Sequence, residues 1–425
     1  MASATTTDLC LDTCERVVAR LDDDAFWYGE RCNWMGGEAL DPARGQVGLG
    51  HSALGPSVYG GTSGVALFLA EFHAVQDNSR GSELAVGAIR HALSTIELVP
   101  EERRLGLYAG WLGIAYAAAR IGALLGEAGL IDEAVKLVGD TLELGMPQAE
   151  FDLVSGRAGG IVALLAVGEA VRDESLVERA TLLGDELLES AETSERGLAW
   201  ASPELPAQPC LTGLSHGAAG GAYALLELAA ATGEDRFREG AEAAFAYERS
   251  WFDADAGNWP DLRDQPRRVG KEGYPLPCLA LWCHGAPGIA LSRLRAVGLL
   301  DDHILRREAL VALATTRETI VDAVETGIGN FSLCHGIAGN ADVLLDGVRA
   351  GLGDASDLDL LRQAAELGAE RYARAGRAWP CGTHAAETPS LMLGLAGIGL
   401  FYLRLANPTV PSVLAISAER AAPAA

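Results

Sequence analysis

A pair of glycines three residues apart, followed at once by an apolar run of helical length, recurs seven times along this chain. The copies are Gly61/Gly64, Gly110/Gly113, Gly156/Gly159, Gly217/Gly220, Gly285/Gly288, Gly336/Gly339 and Gly394/Gly397. From one second glycine to the next the intervals are 49, 46, 61, 68, 51 and 58 residues. Internal recurrence constrains a fold more than local propensity does, because each unit has to bury its apolar face against neighbouring units. The intervals vary too much for a solenoid and fit one repeating unit joined by loops of differing length. Glycine at the opening of a helix permits close backbone approach and exposes the first amides.

The runs after the glycines, over 65–72, 114–125, 160–171, 221–230, 289–297, 340–348 and 398–405, are apolar nearly all round, as buried helices are. Charged amphipathic stretches lie between them, over 82–98, 131–144, 175–191, 235–251, 304–324 and 357–373, with 9–21 in front. In the second of these, Ile131, Val135, Val138 and Leu142 keep helical spacing among acids and Lys136. Strand signals are few, and the proline-containing segments 198–211 and 258–276 read as loops. Seven buried helices alternating with seven half-exposed ones predict an all-α chain, an α/α toroid with an inner and an outer ring. In such a ring the glycine loops converge at one mouth. Residues 1–425 read as a single domain, with 1–50 a lead-in helix and loop and 418–425 an Ala/Pro-rich disordered tail.

Two glycine frames carry chemistry. Cys283-His284 precedes Gly285 and Cys334-His335 precedes Gly336, each a thiol beside an imidazole. Sulfur and imidazole nitrogen are the donors zinc selects, at about 2.3 Å and 2.0–2.1 Å. One such cysteine reads best as a small buried hydrophobe; two in matched frames read as one metal site assembled from two distant loops. His284 stays ambiguous as a donor. Cys381 and His384, three apart before another glycine pair, fit a structural role or a metal contact. Cys10, Cys14, Cys32, Cys210 and Cys278 lie in no such frame and are assigned no chemistry.

A formal charge of −25 argues against nucleic acid, whose phosphates attract lysine and arginine. It argues equally against anionic membrane surfaces and serves solubility. Hydrophobic residues make up 49% of the chain, enough for a large core, yet no apolar run reaches the roughly 18 uncharged residues a membrane span needs. The first residues show no export signal. Eight cysteines are too few for a disulfide scaffold of this length, so a cytoplasmic location with reduced thiols is expected.

From about Tyr59 to Ala406 the chain resembles the lanthionine synthetase C-like cyclases. The motifs are Ser215-His216-Gly217, Trp282-Cys283-His284-Gly285, Cys334-His335-Gly336 and the closing Leu391-Met392-Leu393-Gly394-Leu395-Ala396-Gly397. The closing stretch, with Pro411-Ser412-Val413-Leu414 after it, is most similar to the cyclase half of class II lanthipeptide synthetases. The resemblance implies an α/α toroid, a zinc ion, and Cys283, Cys334 and His335 as its ligands. It also implies His216 and Asp152 as the catalytic acid/base residues. One departure stands out: relatives often carry an arginine four residues before the first cysteine ligand, where this chain has Leu279.

The implied reaction adds a peptide cysteine thiol to the β-carbon of dehydroalanine or dehydrobutyrine, closing a lanthionine or methyllanthionine ring in a precursor peptide. An ordinary thiol has a pKa near 8.5, and a zinc-coordinated thiol is deprotonated. Three protein ligands leave the fourth tetrahedral position for the substrate sulfur. His216 would protonate the enolate, imidazole titrating near 6.5; its alternative is a backbone hydrogen bond. Asp152 would accept the thiol proton or orient an imidazole; its alternative is a helix N-cap. The dehydrated peptide would come from a separate dehydratase. Intermolecular addition of a small thiol such as glutathione, and a non-catalytic peptide-binding scaffold, are the competing readings. The aromatic stretch 26–34 reads as packing, with a ring cap or a substrate contact as its alternative.

Overall fold

The computed structural model describes residues 4–39, 49–145, 150–203, 205–206, 208–263, 276–382 and 387–417. The C-terminal stretch 418–425 and His384 lie outside them. Among the described residues there are fourteen α-helices, alternating in the two kinds the sequence predicts. The apolar kind comprises α2 (Thr62–Gln76), α4 (Trp111–Leu125), α6 (Arg157–Val171), α8 (Ala218–Thr232), α10 (Ala286–Leu299), α12 (Ile337–Arg349) and α14 (Leu395–Ala406). The amphipathic kind comprises α1 (Ala4–Asp23), α3 (Ser79–Ser94), α5 (Ala128–Leu144), α7 (Ser175–Glu189), α9 (Asp235–Arg249), α11 (His303–Thr326) and α13 (Ala355–Gly368). Burial separates the two kinds: α6 is buried without a break from Arg157 to Gly168, whereas α7 buries one stripe through Leu176, Ala180, Leu183 and Leu187.

Every apolar helix begins directly after the first glycine of its frame, about three residues before the periodicity alone placed it. The second glycine therefore already sits in the first turn. A helix start leaves four amides without intrahelical partners, and here the preceding loop folds back to supply carbonyls. In α6, Arg157, Ala158 and Gly159 donate to the carbonyls of Glu150, Phe151 and Asp152 at 2.8, 2.9 and 3.1 Å. Leu395 and Ala396 of α14 use Thr388 and Pro389 in the same way. That loop passes so close that a Cβ on the second glycine would strike the carbonyl oxygen six residues earlier, in all seven frames. The repeat is thus a self-capping loop, and its glycines are required by the loop's own backbone.

The chain falls into two compact units, one of 1–98, 120–130 and 317–414, the other of 99–119, 131–316 and 415–425. In the first, α2 packs on α3, and α14 packs on α1, α2 and α12. The frame loops are joined by backbone bonds: Cys334 donates to Met392 at 2.8 Å, and Met392 to Tyr59 at 3.0 Å. The last frame is thereby tied to the first. On α14, Arg404 is buried and paired with Asp342 and Asp346 of α12. In the second unit, α6 packs on α7 and α8, and α8 on α9 and α10. The same relay runs Tyr108 to Val154 (3.1 Å), Leu153 to Ser215 (3.2 Å) and Ser215 to Cys283 (3.3 Å).

The lead-in differs from the expected helix and loop. Strands β1 (Phe26–Tyr28) and β2 (Arg31–Asn33) form one hairpin, and β3 (Met35–Ala39) and β4 (Leu49–Ala53) a second. A third hairpin joins β5 (Glu192–Ser194) to β6 (Gly197–Ala199), the start of a segment read as loop. The three-residue strands carry too little alternation to register as a period, and the glycine-containing five-residue strands β3 and β4 show no regular alternation of apolar and polar residues. The Gly29-Glu30 turn, with Gly29 at φ +61°, is the local signal that was there to be read.

Candidate metal and proton-transfer site

The sulfurs of Cys283 and Cys334 and a ring nitrogen of His335 all lie within 4.8 Å of one another, and the trio could hold a metal ion. Bond lengths of about 2.0–2.3 Å at tetrahedral angles set donor atoms roughly 3.5–3.8 Å apart, so this donor set fits zinc. Both cysteines are buried, and neither is in a disulfide. The glycine frames explain the placement. A Cβ at Gly288 would strike the carbonyl of Trp282, and one at Gly339 that of Leu333, the residues directly before the two cysteines. Gly339→Ala is therefore expected to push the Cys334 loop outward. Thermal unfolding should show a loss of about 1–3 kcal/mol, the usual range for overpacking, with weaker zinc retention beside it.

His216 stands at the start of α8, its side chain 38% exposed, and its Nδ1 lies 2.5 Å from Oδ2 of Asp152. The imidazole does not take the backbone alternative. Burial lowers its pKa, but the hydrogen bond and charge of Asp152, with the Cys283 sulfur, outweigh that and raise it above the ordinary value. Bonding at Nδ1 leaves Nε2 as the nitrogen through which a proton can pass. Asp152 is buried, and its other oxygen accepts from the Ser155 amide at 2.6 Å. It closes the turn before α6, whose N-cap is Gly156; one carboxylate thus holds both the loop and the imidazole.

His284 does not join the trio around Cys283. Its ring lies 6.2 Å from that of His216, buried, with no hydrogen-bond partner on either nitrogen among the described residues. Burial pushes it down to about 4, so it is neutral at working pH. Cys381 is likewise outside the trio, its thiol pushed up to about 12 by burial. At Leu279, where the sequence departs from the expected pattern, the backbone carbonyl accepts from Asn258 at 3.1 Å. An arginine nevertheless stands near both imidazoles. Arg263, locked to Asp261 by contacts of 2.7–3.2 Å, lowers the pKa of His216 and of His284. Nothing in the spacing pointed to Arg263, because it lies outside the glycine frames.

Ser215 was legible only as part of a motif. Its amide and hydroxyl both reach the Cys283 carbonyl, at 3.3 and 3.1 Å, so the His216 loop is bolted to the Cys283 loop.

Solved structures similar to this chain bear on its fold. Nisin cyclase is similar over 83% of this chain and 89% of its own, with a TM-score of 0.61 and 17% identity. Weaker likenesses run to a sugar epimerase from a ruminal bacterium (TM-score 0.47, 12% identity, 96% and 100% covered). An inactive α-1,6-mannanase variant of Salegentibacter sp. HEL1_6 follows (TM-score 0.43, 10% identity, 84% and 99% covered). The fold is all-α, an α/α toroid. The family model described as "Lanthionine synthetase C-like protein" matches residues 52–416, and the chain belongs to that family. Among the described residues no helix is long and apolar enough to cross a membrane.

Proposed function

We propose that this chain, acting as one domain, is a zinc-dependent peptide cyclase that closes thioether rings in a dehydrated precursor peptide. The observation that carries the reading is the Cys283–Cys334–His335 donor trio in a chain that also sets His216 against Asp152. Zinc bound to that trio would supply a Lewis acid that holds an incoming thiol as thiolate. The residues supply the rest. The peptide sulfur bonds to the β-carbon of dehydroalanine or dehydrobutyrine, and the π pair moves through the α-carbon onto the carbonyl oxygen. The His216 Nε2 proton then passes to the α-carbon, and the proton released by the thiol restores the imidazole. Atoms and charge balance with no redox partner.

Asp152 keeps Nδ1 protonated and the ring aimed, which fits its burial better than proton acceptance from a thiol does. Arg263, 41% exposed, offers a cation near the imidazoles where negative charge develops on oxygen. A peptide with dehydrated residues implies a dehydratase acting first, and reduced cysteine ligands fit a cytoplasmic setting.

Incubating the zinc-loaded protein with a dehydrated peptide that carries internal cysteines tests this. Ring closure leaves the mass unchanged and makes the cysteines unreactive toward alkylation; that loss of alkylation is the expected result. An adduct mass with added glutathione would favour the intermolecular reading. Retained zinc without turnover on any such peptide would favour the scaffold.

A further inference from the structure

Glu248, near the end of α9, is completely buried. Its Oε1 accepts from the Gly213 amide at 2.8 Å, and among the described residues its Oε2 has no hydrogen-bond partner. Burying a carboxyl is unfavourable unless its partners compensate, so a half-satisfied one deep behind a loop calls for a reason. Burial pushes it up to about 7, against the pull of Arg293 and of the Gly213 and Ala219 amides, while Glu308 adds a like charge. Arg293 bonds Glu308 through Nε at 2.8 Å and Ser292 through Nη1 at 3.2 Å, and acts on Glu248 through its charge.

What Glu248 holds is more telling. Gly213 adopts φ +100°, and a Cβ there would meet the Cys283 carbonyl at 2.8 Å and the His284 backbone at 3.2 Å. The loop is therefore pinched between the Cys283 carbonyl and the Glu248 carboxyl. From Gly213 it runs three residues to His216. Thr212 anchors one end, its hydroxyl donating to Pro260 at 2.6 Å, and Ala218 the other, its amide donating to Leu211 at 2.9 Å.

We propose that Glu248 is a positioning residue for His216: by accepting from the Gly213 amide it presses the 212–216 loop onto the Cys283 carbonyl and sets the reach of the imidazole. The inference rests on the cyclase reading for its kinetic consequence, but its structural consequence stands without it.

Two readouts keep these apart. In Glu248→Met the acceptor is gone, and in Glu248→Asp it is too short to reach. Both should keep wild-type zinc content and KM while kcat falls on the order of 10²-fold, the cost of misplacing a catalytic group by about 1 Å. Glu248→Gln keeps an oxygen acceptor and should restore kcat to within a few-fold of wild type. Histidine-selective NMR supplies the activity-free arm. The His216 ring resonances should move in the Met and Asp variants and stay put in the Gln variant, with His73 and His91 unmoved in all three. If Glu248→Met does not fold, Glu248→Asp decides. Unmoved His216 resonances in the Asp variant overturn the proposal, as does a Gln variant shifted as far as Asp. Absence of cyclisation by the wild type would defeat the cyclase reading and leave the NMR arm to judge Glu248.

Discussion

Cys334→Ala should leave a folded chain that no longer holds zinc. The wild type should purify with about one zinc per chain, and the variant with a small fraction of that. Removing outer partners of metal ligands already weakens affinity 10–100-fold, so loss of one of three direct donors should exceed about 10²-fold. The fold should survive because what ties this loop in place is backbone: the Cys334 amide donates to Met392, and that bond is untouched by the side chain. Metal analysis with competition by a chromophoric chelator measures both quantities. Thermal unfolding should show zinc raising the melting temperature of the wild type and not of Cys334→Ala, since a ligand that binds only the native state stabilises it by mass action. Equal zinc content in the two proteins would falsify the donor set.

How much of this was legible beforehand follows from what kind of constraint each feature is. The glycine frames could be read because they answer a backbone demand: no side chain fits where the capping loop crosses its own helix, so Gly288 and Gly339 recur without regard to environment. The convergence of Cys283 with Cys334 and His335 was readable as a paired motif, and so was the alternation of helix kinds. The helix starts were misplaced by about three residues because hydropathy registers the second glycine as punctuation, whereas the structure uses it as helix. Asp152 posed a choice between cap and acid that spacing could not resolve, and the structure divides its two oxygens between turn and imidazole. Glu248 and Arg263 were invisible for a different reason. Each acts on a loop tens of residues away, and a glutamate on an amphipathic helix looks like solvated surface until the packing shows it buried. Of the hairpins in 26–53, the first is too short for alternation to be counted, and the second, built on MGGEA and LGHSA, has glycines where the alternation would lie.

His216→Ala should keep its zinc and lose most of its cyclisation rate. General acid catalysis is typically worth 10²–10⁴-fold, and the neighbouring imidazole, His284, is neutral and buried. Asp152→Asn should be milder in rate but diagnostic in pH. Asp152 raises the imidazole pKa, so His216 keeps its proton to higher pH than an ordinary histidine would. A reaction needing the protonated ring is full below that raised value and declines as pH climbs through it. With asparagine the support is withdrawn, the value drops, and the alkaline limb of the kcat profile should move to lower pH. The Asn carbonyl also invites the opposite tautomer or a flipped amide, which adds to the loss. Rate profiles of wild type, Asp152→Asn and His216→Ala on one dehydrated peptide, with zinc content checked for each, separate the roles. If the limb stays fixed in Asp152→Asn, the aspartate is not what sets the imidazole. If His216→Ala cyclises at the wild-type rate with unchanged product stereochemistry, the enolate takes its proton from elsewhere. The pairing of imidazole and carboxylate would then be a structural contact between two glycine loops.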